Sequence, residues 1–192
     1  MSCLTYLLIV LAYVFCHGLT SLVVTPVQSI LLPEITMFAS LIYLPHGVRV
    51  LASWASGWKA IPTLFIGAGL ASWLFTPADE WDMVQGMMLE SLFVGAISAY
   101  FAFELLRLFG CDFYFGSQRR LNWKGMILIG AISSVVNSVG QTLVFSGVIA
   151  FERFAQILII YAIGDLIGLV ICMFALMFLF RWVRGYSLAK RR

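Results

Sequence analysis

Residues 154–180 read FAQILIIYAIGDLIGLVICMFALMFLF, with Asp165 the one charged side chain in the run. A bilayer core about 30 Å thick is crossed by roughly 20 mostly apolar residues in a helix. The stretch therefore reads as a membrane-spanning helix with a carboxylate set into it. At about 1.5 Å of rise per residue, Asp165 falls near the middle of the run. A charge there is costly unless it faces the bundle interior and meets a partner. Gly164 and Gly168 flank it at the small-x-x-x-small spacing that lets a neighbouring helix approach closely.

Five further apolar segments precede this one, at residues 4–24, 32–58, 60–75, 84–109 and 125–150. The expected fold is all-α: a polytopic transmembrane bundle of about six helices over residues 1–183, followed by a basic cytoplasmic tail at 184–192. Composition agrees. Of 192 residues, 62% are hydrophobic and 11% charged, and the mean hydropathy is +0.99, whereas soluble domains carry roughly a quarter charged residues. Almost no soluble domain remains to house ordinary enzyme chemistry. The first apolar run has no preceding Lys or Arg and no clear small-x-small cleavage pattern, so it reads as a retained helix, not a signal peptide.

Charge placement sets the expected topology. The connector TPADEWD at 76–82 is acidic, whereas Arg119, Arg120 and Lys124 follow Phe109, and Arg184, Lys190, Arg191 and Arg192 close the chain. Basic connectors favour the cytoplasmic side. Six passes then put the Lys59 loop, the Arg119/Arg120 loop and both termini inside, with the 79–82 loop and the Glu152–Arg153 turn outside. Trp58, Trp81, Trp123 and Trp182 fall at segment ends, where amphipathic rings prefer the interface.

The second segment is irregular, because Pro45 interrupts it near the bilayer centre, removing a backbone donor and disfavouring helix in the residue before it. A broken or re-entrant second helix is one reading and a simple proline kink the other. Ionisable residues inside the apolar segments are His17, His46, Arg49, Glu90, Glu104, Arg107 and Asp165. In the fifth segment Ser133, Asn137 and Gln141 repeat every four residues and share one helical face. Arg49, Asn137 and Asp165 are expected to converge with His46 beside them. Two readings follow. One is an ionic clasp that only locks helices together. The other is a ligand site formed by His46, Gly47, Arg49, Ser133, Asn137, Gln141 and Asp165, with a helix restarting after Pro45 and offering free N–H groups at His46 and Gly47 to an anion. Glu104 and Arg107 are spaced for an intrahelical pair, and Glu90 sits near the outer boundary.

Several functions are disfavoured. There is no Gly-x-Ser-x-Gly elbow, His-Glu-x-x-His pair or phosphate-cradling glycine loop, so no catalytic residue is assigned and the chain does not read as an enzyme. Cys3, Cys16, Cys111 and Cys172 are too dispersed for a metal site, and no metal or cofactor is expected. Topology accounts for the basic residues better than nucleic-acid binding does.

The block LPHGVRVLA at 44–52, followed by GWKAIP at 57–62, resembles motifs of the bacterial membrane-associated sensor (MASE-type) domains, as does YAIGDLIGLV at 161–170 with its Gly-Asp-x-x-Gly core. The resemblance spans roughly residues 44–175. It implies an inner-membrane sensory bundle, here stand-alone and shortened from the usual eight helices, with no signalling module after Arg192. Such a module would bind a small polar ligand and act through a separate protein partner in the membrane or cytoplasm, in contact with membrane lipids and with room for a homo-oligomer. By size and topology the chain also resembles substrate-binding membrane subunits of energy-coupling-factor importers and small membrane scaffold proteins. The three readings predict ligand without flux, ligand with flux, and no ligand.

Overall fold

The structure, a computed structural model, describes residues 2–31, 40–76, 78–118, 121–145 and 154–189. Every regular element among them is helical. Helix α1 (Cys3–Leu19) is capped by Ser2, whose hydroxyl accepts the Thr5 N–H at 3.3 Å. It passes through one π-helical turn (Thr20–Val24) into α2 (Thr25–Leu31). Pro26 has no N–H to return to the preceding turn, and the widened turn just before it absorbs that defect without ending the helix. The chain continues as α3 (Leu44–Ser56), a single 3-10 turn (Gly57–Lys59), α4 (Ala60–Phe75), α5 (Ala78–Leu108), α6 (Trp123–Val144) and α7 (Phe154–Ala189). Asn122 caps α6, its side-chain oxygen accepting the Gly125 N–H at 2.8 Å.

Among the described residues, five helical stretches are long and apolar enough to cross a membrane: Cys3–Leu31, Leu44–Phe75, Gly86–Leu108, Trp123–Val144 and Leu158–Arg184. Six separate segments were expected. The difference arises at Leu44–Phe75, where α3 and α4, joined by the single turn Gly57–Lys59, count as one continuous helical stretch although the chain folds back at that turn. Pro45 lies in the first turn of α3, where a missing N–H costs nothing, so the proline starts this helix instead of kinking it. Residues 40–43 are non-helical, and residues 32–39, with Pro33, lie outside the described residues. The acidic connector is also shorter than expected, since α5 already begins at Ala78 and takes Asp79, Glu80 and Asp82 into its first turns. Similarly, α7 continues through Arg184 to Ala189, so the described part of the expected tail is helix. Arg119, Arg120, Glu152, Arg153, Lys190, Arg191 and Arg192 lie outside the described residues.

Contacts fix the direction of each helix. Leu44 meets Thr20 and Arg49 meets Tyr13, so α3 runs antiparallel to α1. Gly67 faces Val10 and Tyr13 while Gly18 faces Phe75, so α4 runs parallel to α1. The reversal occurs at Gly57, whose φ of 58° suits glycine. Ser91 against Gln141 with Val94 against Gly140 makes α6 antiparallel to α5, Asp165 against Asn137 with Leu169 against Gly130 makes α7 antiparallel to α6, and Gly168 against Tyr43 with Cys172 against Gly47 sets α7 parallel to α3.

Helix α3 is the axis of the bundle. It packs against α1, α4, α5, α6 and α7, and buries Leu44, Pro45, His46, Gly47, Arg49, Val50, Ala52 and Ser53. The helices around it expose large apolar side chains such as Leu8, Phe15, Trp73, Phe93, Phe174 and Phe178, while polar groups including Ser98, Ser134, Asn137, Thr142 and Asp165 are buried. A soluble protein shows the reverse. Alanines on the facing helices, among them Ala68, Ala71, Ala96, Ala99 and Ala102, let the backbones approach closely, as membrane interfaces favour.

Candidate functional site

Three helices meet at a buried polar cluster. From α3 come His46 and Arg49, three residues apart and hence on one face. From α6 come Ser134 and Asn137 at the same spacing, and from α7 comes Asp165. Asp165 is 1% exposed. Its Oδ2 accepts from Asn137 Nδ2 at 3.1 Å and from Ser134 Oγ at 3.2 Å, and lies 3.2 Å from His46 Nδ1. On its far side the His46 ring bonds the Gly130 carbonyl through Nε2 at 3.3 Å. Asn137 then turns its other end to Arg49, whose Nη1 donates to Asn137 Oδ1 at 3.3 Å. The amide therefore stands between cation and carboxylate, and among the described residues Arg49 and Asp165 make no direct ion pair.

Arg49, 5% exposed, is held on its other side by two tyrosines. Its Nη2 donates to Tyr13 Oη at 2.8 Å and to Tyr43 Oη at 3.3 Å, and the guanidinium carbon lies 5.6 and 5.3 Å from the two ring centroids. Phenol faces and oxygens partly replace the water an arginine loses in hydrocarbon. Gly95 on α5 leaves the space that the guanidinium occupies, since a Cβ there would come within 2.6 Å of Nη2. Arg49 Nε, His17 Nδ1 and Asp165 Oδ1 are buried without a hydrogen-bond partner.

Beside Arg49 opens a cavity of about 240 Å³. It is bordered by Ser72 near the end of α4, Ser91 on α5 and Phe145 just past α6, and so rises from Arg49 towards the end of the bundle away from Gly57. Of the residues expected at a ligand site, Arg49, Asn137 and Gln141 line this cavity. Gln141 is clamped to α5, accepting from Ser91 Oγ at 2.8 Å and donating to the Ser91 carbonyl at 3.0 Å. His46 and Asp165 sit behind Asn137 and do not line it. Ser133 is fully buried, its hydroxyl without a partner, and is likewise absent from the wall. Gly47 packs against Cys172 and the Gly168 carbonyl. The start of α3, expected to offer free N–H groups, is engaged by protein: Leu44 N–H donates to Thr20 Oγ1 at 3.3 Å and His46 N–H to the Tyr43 carbonyl at 3.2 Å.

Sequence reasoning missed Tyr13, Tyr43 and Tyr161, and left His17 isolated. His17 lies one helical turn beyond Tyr13, its ring 6.4 Å from that of Tyr13 and 5.9 Å from that of Phe75. The i, i+4 pairing of Tyr13 with His17 was the available signal. At the Gly57 end, Arg107 pairs with Glu104 at 3.5 Å, and Tyr114 donates to Glu104 at 2.8 Å. Burial and that bond push the Tyr114 hydroxyl above the ordinary phenol range. Glu90 is exposed and does not border the cavity. Among the described residues no three His, Cys, Asp or Glu side chains are grouped to hold a metal ion. Comparison with protein-family models, curated proteins and solved structures finds no match to this chain.

Proposed function

We propose that this protein is a sensor-like module of the bacterial inner membrane that binds a small polar ligand within its bundle and acts, without catalysis of its own, through a partner protein. The observation that carries this reading is the cavity beside Arg49, where a buried cation keeps its Nε free of partners and His17 keeps Nδ1 free. Buried polar groups in membrane proteins are normally satisfied, and those left open beside a cavity mark a binding site. The polar cluster then divides in two. Asp165, with Asn137, Ser134 and His46, forms the clasp that ties α3, α6 and α7 together. Arg49, with Tyr13 and Tyr43, faces the ligand.

The motifs that resemble the MASE-type domains support the same reading, because the blocks at 44–52 and 161–170 fall on α3 and on the part of α7 against which α3 packs. In this proposal the alternating helices make six crossings, the second re-entering through residues 40–43 into α3, with both termini cytoplasmic. A thermal-shift screen of small metabolites on detergent-purified protein tests it. A binder raises the melting temperature by mass action, and the effect disappears in Asn137→Leu. If no compound stabilises the protein, or stabilisation persists in that variant, the cluster is a clasp alone.

A further inference from the structure

The hydrogen bonds around the cavity reveal the polarity of its occupant. Tyr13 and Tyr43 both accept from Arg49 Nη2, so their phenolic protons must point elsewhere. Their oxygens lie 3.5 Å apart, which lets one donate to the other. The remaining proton has no acceptor among the described hydrogen bonds. The amides in the wall are already engaged by protein. Asn137 Oδ1 is taken by Arg49 and Gln141 Oε1 by Ser91, while both amide nitrogens donate to Asp165 and to the Ser91 carbonyl respectively. What is left beside the Arg49 guanidinium is a tyrosine O–H with a proton to donate. Among the described lining residues there is one arginine and no Asp or Glu, Asp165 being screened behind Asn137. The full charge among these lining residues is the Arg49 cation, which an anion complements better than an ammonium group or a neutral ligand does. The lining also includes the apolar side chains of Ala68, Leu92 and Phe145.

Size narrows the class further. An apolar cavity of about 150 Å³ accommodates benzene, so about 240 Å³ suits a body of roughly ten non-hydrogen atoms. We propose that the cavity takes a small organic monocarboxylate of about that size, its carboxylate on Arg49 and the tyrosine hydroxyls and its apolar body against Leu92 and Phe145. This inference rests on the ligand-site reading above and adds the chemistry of the ligand.

The test uses the full chain in detergent at neutral pH with three matched probes: benzoate, benzamide and benzylamine. At about ten times its Kd, benzoate is expected to raise the melting temperature by about 3 °C or more, with benzamide weaker and benzylamine inert. Tyr43→Phe removes one hydroxyl while Tyr13 still accepts from Arg49, and should weaken benzoate about tenfold. Ser72→Leu fills the cavity without breaking a side-chain bond and should abolish the shift. If benzamide or benzylamine matches benzoate and Ser72→Leu abolishes it, the ligand site stands and the carboxylate inference falls. Absence of a shift with all three probes, or shifts indifferent to Ser72→Leu, removes the site itself. A series from butanoate to decanoate distinguishes a free acid from a bilayer fatty acid. Affinity should level off near ten non-hydrogen atoms, and a continued gain with chain length would overturn the size limit.

Discussion

Asp165 is held by two donors from α6 with His46 of α3 beside it, and its value lies in what those groups would lose. Without the carboxylate, Asn137 Nδ2 and the Ser134 hydroxyl lose an acceptor in a site that water does not replace, and His46 loses its nearest anion. Breaking one side of a buried charged cluster costs about 3–5 kcal/mol, so Asp165→Ala should lower the melting temperature in detergent by roughly 10 °C. Glu90 is exposed, and Glu90→Ala should move stability by no more than about 0.5 kcal/mol. Equal tolerance of the two substitutions would show that the cluster does not hold the bundle. Asp165, Asn137 and Arg49 were legible in the sequence because each is a polar residue in an apolar run, where cost implies a partner. What could not be read was the order of contact. An arginine and an aspartate suggest a direct pair, yet Asn137 stands between them. Tyr13 and Tyr43 were invisible for a different reason. Tyrosines are ordinary in membrane helices, and nothing in the sequence brings together two of them 30 residues apart until α1 and α3 cross.

Among the elements, the segment Ser40–Tyr43 departs furthest from expectation. Gly164 and Gly168 promised a close neighbour, and a helix was the natural candidate. Instead an irregular, bent stretch of backbone lies in the groove, with Tyr43 N–H donating to the Gly164 carbonyl at 3.0 Å. The glycine spacing tells how near a partner comes, not which secondary structure it has. A Cβ at Gly168 would collide with the Tyr43 carbonyl, and one at Gly164 with the Ser40 carbonyl. Since backbone cannot rotate away as a side chain can, Gly168→Ala should destabilise by the 1–3 kcal/mol typical of overpacking, a fall of several degrees. Gly86 on α5 meets nothing within 4 Å, so Gly86→Ala should hold or raise stability by about 0.5–1 kcal/mol. Thermal melts of the two variants side by side separate loss of space from general loss of glycine. If Gly168→Ala melts like Gly86→Ala, the Ser40–Tyr43 backbone is not seated there.

For the whole molecule the alternation of helix directions has a consequence at the ends. Ser2 begins α1, Lys59 lies between α3 and α4, Arg107 ends α5, Lys124 opens α6, and Arg181 and Arg184 lie towards the end of α7. All of these fall at one end of the bundle, because α3 and α7 run opposite to α1 and α4 parallel to it. At the other end α5 begins with Asp79, Glu80 and Asp82. Charge is thus segregated by the fold itself, and the positive end should be retained in the cytoplasm. The cavity, which rises from Arg49 towards the acidic end, would then receive its ligand from the periplasmic side, whereas the termini would meet a cytoplasmic partner. Fusion of alkaline phosphatase, active only outside the inner membrane, should therefore be silent after Arg192 and active after Thr76, with a cytoplasmic reporter giving the reverse pattern. Activity after Arg192 would reverse the molecule, turn the cavity towards the cytoplasm, and detach the ligand reading from any extracellular signal.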